Sequence, residues 1–337
     1  PKTEAAAKRA LKRGVMQVFQ KAECEGEAFW HACPPGHPAQ GWPVILWCMS
    51  TFDLSSADIA ALAQTDVARA LSEDVGAGDL TASLIDPTRR ARARVLARES
   101  AVICGEPWAT AAVRALDPSA ALIWHVREGQ RCQQDQVLLE IEGNAQALLT
   151  AERTALNFLQ LLSAVATKTA TFVAAVNEVP GNRAAIVDTR KTIPGLRLAQ
   201  KYAVKTGGGT NHRIGLHDAV LIKENHIAAA GGVTAALQRA TQFAATAKFI
   251  EVEVETLEQL REALDCGAKM VLLDNMTLAQ LMQAVAINAG RAILEVSGGV
   301  HLDTVRAIAS TGVDRISIGA LTKDVKATDF SMRFEDL

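Results

Sequence analysis

The sequence predicts an α/β protein built as an N-terminal α/β sandwich domain plus an incomplete parallel α/β barrel, with the active site at the C-terminal ends of the barrel strands. Three observations predict it. After Pro180-Gly181, short apolar strands alternate with helical segments at about 22 residues per unit, the rhythm of parallel β/α architecture with each strand buried on both faces. Each of those strands ends in polar or glycine residues, and in a β/α barrel such ends converge on one site. Between residues 91 and 145 the pattern is different, with short alternating strands around a single helix.

The elements follow in order. Residues 1–50 stand apart, with a basic Ala-rich start, the turn-rich run Pro34-Pro35-Gly36-His37-Pro38 and three of the five tryptophans. They are expected to be a poorly ordered extension, either an upstream-start artefact or a short docking arm. Residues 51–165 are expected to form the sandwich. Within it, Ile59, Leu62, Ala63, Val67, Ala70 and Leu71 recur at helical spacing behind a Ser55 or Ser56 cap, and Gly76 to Asp79 stops that helix. Strands are expected at 91–96, 121–124 and 137–141, and a helix at 107–116. The segment 145–179, almost free of Gly and Pro and apolar around much of its circumference, predicts one or two buried helices joining the domains. The barrel is expected over 166–325, with strands at 185–187, 219–222, 249–254, 270–273, 292–296 and 315–318. Residues 326–337 are expected to return to the sandwich.

Composition narrows the function. Hydrophobic residues make up 49% and charged residues 21%, ordinary for a globular chain, and aromatics only 4%, so the core should be aliphatic. A net charge of −2 argues against a nucleic-acid or membrane-surface partner, since either needs a broad excess of positive charge. The six cysteines (24, 33, 48, 104, 132 and 266) form neither a C-x-x-C pair nor a metal-spaced Cys/His cluster. Reduced thiols in the cytoplasm are the plain reading. No secretory signal is recognisable.

The positive charge is concentrated. Between Asp188 and His226 stand seven Lys/Arg against three acids, which leaves 28 bases and 34 acids elsewhere. Arg190, Lys191, Arg213 and Lys223 lie at or near strand ends, where a guanidinium fork grips a carboxylate or phosphate and a lysine supplies a point charge. They fit a dicarboxylate pocket. Arg197, Lys201 and Lys205, four apart on a helix, read mostly as solvated surface. The glycine-rich run Thr206 to Arg213 could let backbone N–H groups approach an anion, or could be a connector. His212 is open between site and scaffold. Glu253 and Asp274 end successive strands, where paired carboxylates could hold Mg²⁺ or a ribose diol and stabilise a developing cation, or could pair with a barrel lysine. Ser297-Gly298-Gly299 and Gly319 match the phosphate site on the last two strands of a barrel.

Three runs together carry a resemblance: Asp188-Thr189-Arg190-Lys191-Thr192; Lys205 to Gly209 with Asn211-His212-Arg213; and Leu221-Ile222-Lys223-Glu224-Asn225-His226. The chain resembles the quinolinate phosphoribosyltransferases, or nicotinate-nucleotide pyrophosphorylases (carboxylating), from about Leu54 to Phe330. Residues 1–48 are expected to lack a counterpart. The resemblance implies a pentosyltransferase that joins quinolinate to phosphoribosyl pyrophosphate and releases pyrophosphate and CO₂, giving nicotinate mononucleotide for NAD biosynthesis. It implies Mg²⁺ as cofactor and a homodimer in which Arg153 reaches the partner's site. It also implies that Thr189, Arg190, Arg213 and Lys223, with His212 close by, hold the pyridine dicarboxylate. Lys191, Glu253 and Asp274 would be the catalytic residues around the pyrophosphate substrate, the two acids also holding the metal. Ser297, Gly298, Gly299 and Gly319 would hold the 5′-phosphate. The rivals are a related phosphoribosyltransferase or a molybdenum-transport-associated paralogue, a phosphosugar aldolase or isomerase using Lys223, and a catalytically silent anion-binding module.

Overall fold

The computed structural model describes residues 54–335, so the expectation for residues 1–50 lies outside the described residues. The described residues all belong to one compact unit. It opens with α1 (Ser56–Asp74), where the Ser55 side chain accepts the Asp58 amide and the Asp58 carboxylate accepts the Ser55 amide, a reciprocal cap. Then come β1 (Arg90–Ala97), β2 (Ala101–Val102), α2 (Glu106–Leu116), β3 (Ala121–Trp124), β4 (Arg131–Cys132) and β5 (Val137–Asn144). Along β1 every second side chain, Ala91, Ala93, Val95 and Ala97, is buried, as a sheet with one covered face requires.

The segment expected to hold one or two helices is a single helix, α3 (Ala145–Asn177), with the Asn144 side chain accepting the Ala147 amide at its start. It is long and apolar enough to cross a membrane on length and composition, and 56% of its most apolar stretch is buried against the rest of the protein. It serves two cores at once. Leu148, Leu156 and Leu159 pack into the sandwich cluster, while Phe158, Leu162, Val165 and Phe172 pack into the barrel cluster.

The barrel elements are β6 (Ala185–Val187), α4 (Arg197–Thr206), β7 (Val220–Ile222), α5 (Glu224–Ala230), α6 (Val233–Ala240), β8 (Ile250–Val254), α7 (Leu257–Asp265), β9 (Met270–Asp274), α8 (Leu278–Asn288), β10 (Ile293–Ser297), α9 (Val305–Ser310), β11 (Arg315–Ser317) and α10 (Ala320–Lys323), followed by β12 (Phe330–Glu335). All six predicted parallel strands are present, in the order β6-β11-β10-β9-β8-β7. β6 and β7 are the two ends of this sheet, so the barrel is incomplete. The other main sheet is antiparallel with order β12-β1-β5-β3, and β12 brings the chain back from the barrel to pair with β1, Ala93 opposite Phe334.

The run Thr206 to Arg213 lies outside β6, where Thr210 makes a parallel bridge with Val187. Gly207 and Gly209 are there for packing and Gly208 for its φ of +86°, which favours the connector of the two readings the sequence left open. A Cβ on Gly207 would sit 2.4 Å from the Ala166 carbonyl oxygen, and one on Gly209 would sit 2.7 Å from Thr169 Cγ2. The amides of Gly207, Gly208 and Gly209 already donate to Ala203, Lys205 and Val204, so none is left for a ligand.

Candidate active site

The end of β6 is tied down from below. Asp188 is fully buried, accepts the His212 amide (2.8 Å) and the Asn211 side chain (2.6 Å), and forms an ion pair with Lys201. Lys201 is itself fully buried and also donates to the His212 carbonyl at 3.0 Å. This overturns its reading as helix surface. Arg197 likewise faces inward, donating to Thr192 Oγ1 (3.2 Å), the Arg190 carbonyl (3.4 Å) and the Ile214 carbonyl (3.2 Å). Lys205 is exposed, as expected.

Above this base, Arg190 and Arg213 lie close enough for the charge of one to act on the other. Arg213 is buried, and burial first, then the Arg190 charge, lower its affinity for its proton. Its one side-chain hydrogen bond runs from Nη1 to the Ala219 carbonyl at 3.3 Å. The Nε of Arg190 is buried without a partner. Among the described residues no carboxylate forms an ion pair with either guanidinium. The charges of Asp218 and Glu251 act on Arg213 in the opposite sense, without an ion-pair contact, so the two like charges are only partly offset within the protein.

His212 belongs to the scaffold beneath this pair rather than to the pocket. Its Nδ1 accepts the Arg213 amide at 2.8 Å, and its Nε2 faces Glu251 at 2.9 Å and Glu295 at 3.5 Å. Both ring nitrogens are therefore engaged by the protein, which favours the scaffold reading of the two the sequence left open. Burial lowers the affinity of the ring for a second proton, and Glu295 and Glu251 raise it more. The Arg213 amide, however, requires a bare Nδ1, so we assign a neutral ring with its proton on Nε2. Glu251 and Glu295 are fully buried, and Arg315 Nε donates to Glu295 at 2.7 Å. The ligand atoms of His212, Glu251 and Glu295 lie within 4.8 Å of one another, a spacing a metal ion could use. Arg315 supplies the positive charge there instead.

The carboxylates at the mouth are arranged as a pair. Glu253 accepts Lys223 Nζ at 2.7 Å; burial pushes its pKa up, Lys223 pulls against that, and the charge of Asp274 adds to it. The ion pair with a barrel lysine, one of the two readings of the sequence, is thus present. It does not exhaust Lys223, which is 44% exposed and has two further ammonium protons. Asp274 accepts Ser297 Oγ at 2.5 Å and Asn275 Nδ2 at 2.7 Å. The Ser297 hydroxyl thus orients Asp274, a different contact from the phosphate expected of it. Gly298 has φ +92°, and a Cβ there would meet Asn275 Oδ1 at 2.1 Å. Glycine is obligatory at that turn, and Gly299 follows it at φ +58°.

Thr189, Lys191 and Gly319 come together at the ends of β6 and β11. The Thr189 hydroxyl accepts the Lys191 amide at 3.0 Å, and a Cβ on Gly319 would lie 2.9 Å from Lys191 Cδ and 3.6 Å from Thr189 Oγ1. Arg153 joins none of these groups within the chain; it is exposed on α3. Gln200, Glu251, Glu295, Arg315 and Thr322 were not among the residues singled out by type and spacing. The available signal was a charged residue inside a short apolar strand, as at Glu251, Glu295 and Arg315, which is costly unless paired.

With this geometry in place, comparison with known proteins is decisive. A model of the quinolinate phosphoribosyl transferase C-terminal domain matches residues 165–333, and its N-terminal counterpart matches residues 79–163. The chain belongs to the quinolinate phosphoribosyltransferase family. Within that family it is 40% identical to a probable nicotinate-nucleotide pyrophosphorylase [carboxylating] of Bacillus subtilis over 77% of this chain and 89% of the relative. The nicotinate-nucleotide pyrophosphorylase of Francisella tularensis superposes with a TM-score of 0.77 at 40% identity, covering 82% of this chain and 97% of that one. A chloroplastic rice quinolinate phosphoribosyltransferase relative, named nicotinate-nucleotide pyrophosphorylase [carboxylating], is 36% identical over 95% of this chain and 85% of its own length. That is more than the residues after position 48 could supply, so the first 48 residues, expected to lack a counterpart, are matched in part.

Proposed function

We propose that this chain transfers the phosphoribosyl group of phosphoribosyl pyrophosphate to quinolinate and decarboxylates the product to nicotinate mononucleotide, a step of NAD biosynthesis. The observation that carries the reading is the confined Arg190–Arg213 pair without a carboxylate partner, which suits the two carboxylates of a pyridine dicarboxylate. Thr189 and the two remaining Lys223 protons complete that grip. The pyridine nitrogen attacks C1 of the ribose, the C1–O bond to pyrophosphate breaks with its electron pair leaving on oxygen, and the bond from ring carbon to the neighbouring carboxylate then breaks to release CO₂, the electron pair left on that carbon taking up a proton from water. Glu253 and Asp274 lie where they stabilise positive charge on the ribose, and Lys191 balances the departing pyrophosphate. Positioning of two anionic substrates supplies much of the rate, and no covalent nucleophile is required.

Glu253 and Asp274 also fit Mg²⁺. They offer hard oxygen donors, and their mutual repulsion, which helps hold Glu253 above its usual range, is relieved by a divalent cation. Mg²⁺ bound there would neutralise pyrophosphate charge. The turns at Ser297 to Gly299 and at Gly319 take the 5′-phosphate, with Gly298 and Gly299 offering backbone amides. We further propose a homodimer, in which an exposed Arg153 has an acceptor in the partner subunit.

Mixing purified protein with Mg²⁺, phosphoribosyl pyrophosphate and either quinolinate or nicotinate, and following pyrophosphate and CO₂, tests the reading. Product is expected from quinolinate. Its absence overturns the proposal.

A further inference from the structure

The Lys191 loop and the Gly319 turn come from distant parts of the sequence, yet a buried chain of hydrogen bonds ties them together. Gln200, on α4, is fully buried. Its Oε1 accepts the Ile193 amide at 2.8 Å and its Nε2 donates to the Thr322 carbonyl at 2.9 Å. Thr322, on α10, is also fully buried, and its hydroxyl donates to the Lys191 carbonyl at 2.7 Å. The loop is therefore held at both Lys191 and Ile193, and both holds lead to α10, which begins one residue after Gly319. Lys191 in turn lies so close to Gly319 that a Cβ there would come within 2.9 Å of its Cδ.

We infer that Gln200 and Thr322 are positioning residues that lock the Lys191 loop onto the Gly319 turn, setting the distance between the two phosphate-bearing ends of the phosphoribosyl pyrophosphate subsite. The inference rests on the function proposed above. Neither residue can reach a substrate, because neither has exposed surface. The need for a lock follows from the chemistry of lysine: its four-carbon stem is flexible, so the placement of its charge depends on the backbone beneath it. An amide and a hydroxyl suit the task because neither titrates. In a buried setting an unmade hydrogen bond is costly, so the arrangement has one preferred geometry.

The test uses Thr322→Val, which removes the hydroxyl bond to Lys191 while keeping the shape, and Thr322→Ser, which restores it. KM for each substrate, Kd for Mg²⁺–phosphoribosyl pyrophosphate by calorimetry, and Tm are measured on the full chain. Thr322→Val should raise KM and Kd for phosphoribosyl pyrophosphate by about tenfold, with KM for quinolinate changed less than about twofold, the size expected of one lost buried hydrogen bond. Thr322→Ser should bring both back toward wild type. Gln200→Met removes both of the Gln200 bonds and should act in the same direction. A folded Thr322→Val with unchanged affinity for phosphoribosyl pyrophosphate, or with equal losses for both substrates, overturns the inference alone. Failure of both Thr322→Val and Gln200→Met to fold overturns it too, by making the chain of bonds a folding element. A wild-type protein that binds phosphoribosyl pyrophosphate but forms no product overturns the function proposed above and leaves the Kd comparison to decide this one.

Discussion

At the scale of single residues, the site is organised by which charges are neutralised within the protein. Lys201 is matched by Asp188, Arg315 by Glu295 and Lys223 by Glu253, while Arg190 and Arg213 are left close enough for the charge of one to act on the other. Arg190 is only partly buried and Asp218 and Glu251 act on Arg213 from a distance, so the pair is incompletely offset and an anionic ligand would complete it. Arg213→Ala is therefore expected to raise KM for quinolinate by about 10- to 100-fold, the range for a lost charge-assisted hydrogen bond, with a much smaller change for phosphoribosyl pyrophosphate. Steady-state kinetics with each substrate varied in turn would check this, and equal losses would contradict the pocket. Arg213→Lys should not restore activity, because a point charge cannot replace the fork. His212 acts through its neighbour: by accepting the Arg213 amide it fixes the backbone from which that guanidinium projects.

At the scale of elements, two loops do the positioning and each has a different failure mode. The loop from Ile214 to Asp218 is closed by Asp218, which accepts the Ile214 amide at 2.8 Å and the Gly215 amide at 2.9 Å. Burial pushes the Asp218 carboxyl up, but those amides and Lys248 pull it down further, leaving it below its ordinary value of 3.8. A depressed carboxylate contributes stability that is fully present above about pH 3.8 and is lost as pH falls through the lower folded value. Asp218→Asn should flatten that part of the acid-unfolding curve, as followed by circular dichroism; an unchanged curve would remove Asp218 from the account. The glycine-rich loop fails by crowding instead. Gly209→Ala would force a methyl to 2.7 Å from Thr169 Cγ2 and 2.8 Å from Val204 Cγ1. Overpacking of this kind costs about 1–3 kcal/mol, so urea unfolding should show a lower midpoint with an unchanged slope.

At the scale of the whole molecule, α3 joins the sandwich core to the barrel core and makes them one body. Ser163 on that helix both accepts the Cys104 amide and donates to the Cys104 carbonyl, at 2.9 and 3.0 Å, fastening it to the sandwich. Leu162, one residue earlier, is fully buried in the barrel cluster. Leu162→Ala should cost about 2–5 kcal/mol, as for other deletions of buried leucine. Because the cores share the helix, calorimetry should show one transition moving to lower temperature; two separated transitions would show that the halves unfold independently.

The architecture was legible in the chain before any contact was known. Strand period, helix period and the glycine and polar residues at the strand ends are local properties of the chain, so the six barrel strands, α1, α2 and the positions of Arg190, Arg213, Glu253 and Asp274 were legible from spacing alone. Tertiary structure decided the pairings. Lys201 and Lys205 look alike on one helix, yet one is buried against Asp188 and the other is exposed, because depth depends on what packs over a helix face and not on its sequence period. The role of His212, open in the sequence, was hidden for the same reason: its partners Glu251 and Glu295 lie on strands 39 or more positions away, and only the sheet order brings them to its ring. Residues that hold others in place, such as Gln200 and Thr322, carry no chemistry of their own and leave no mark in a sequence until the fold shows what they touch.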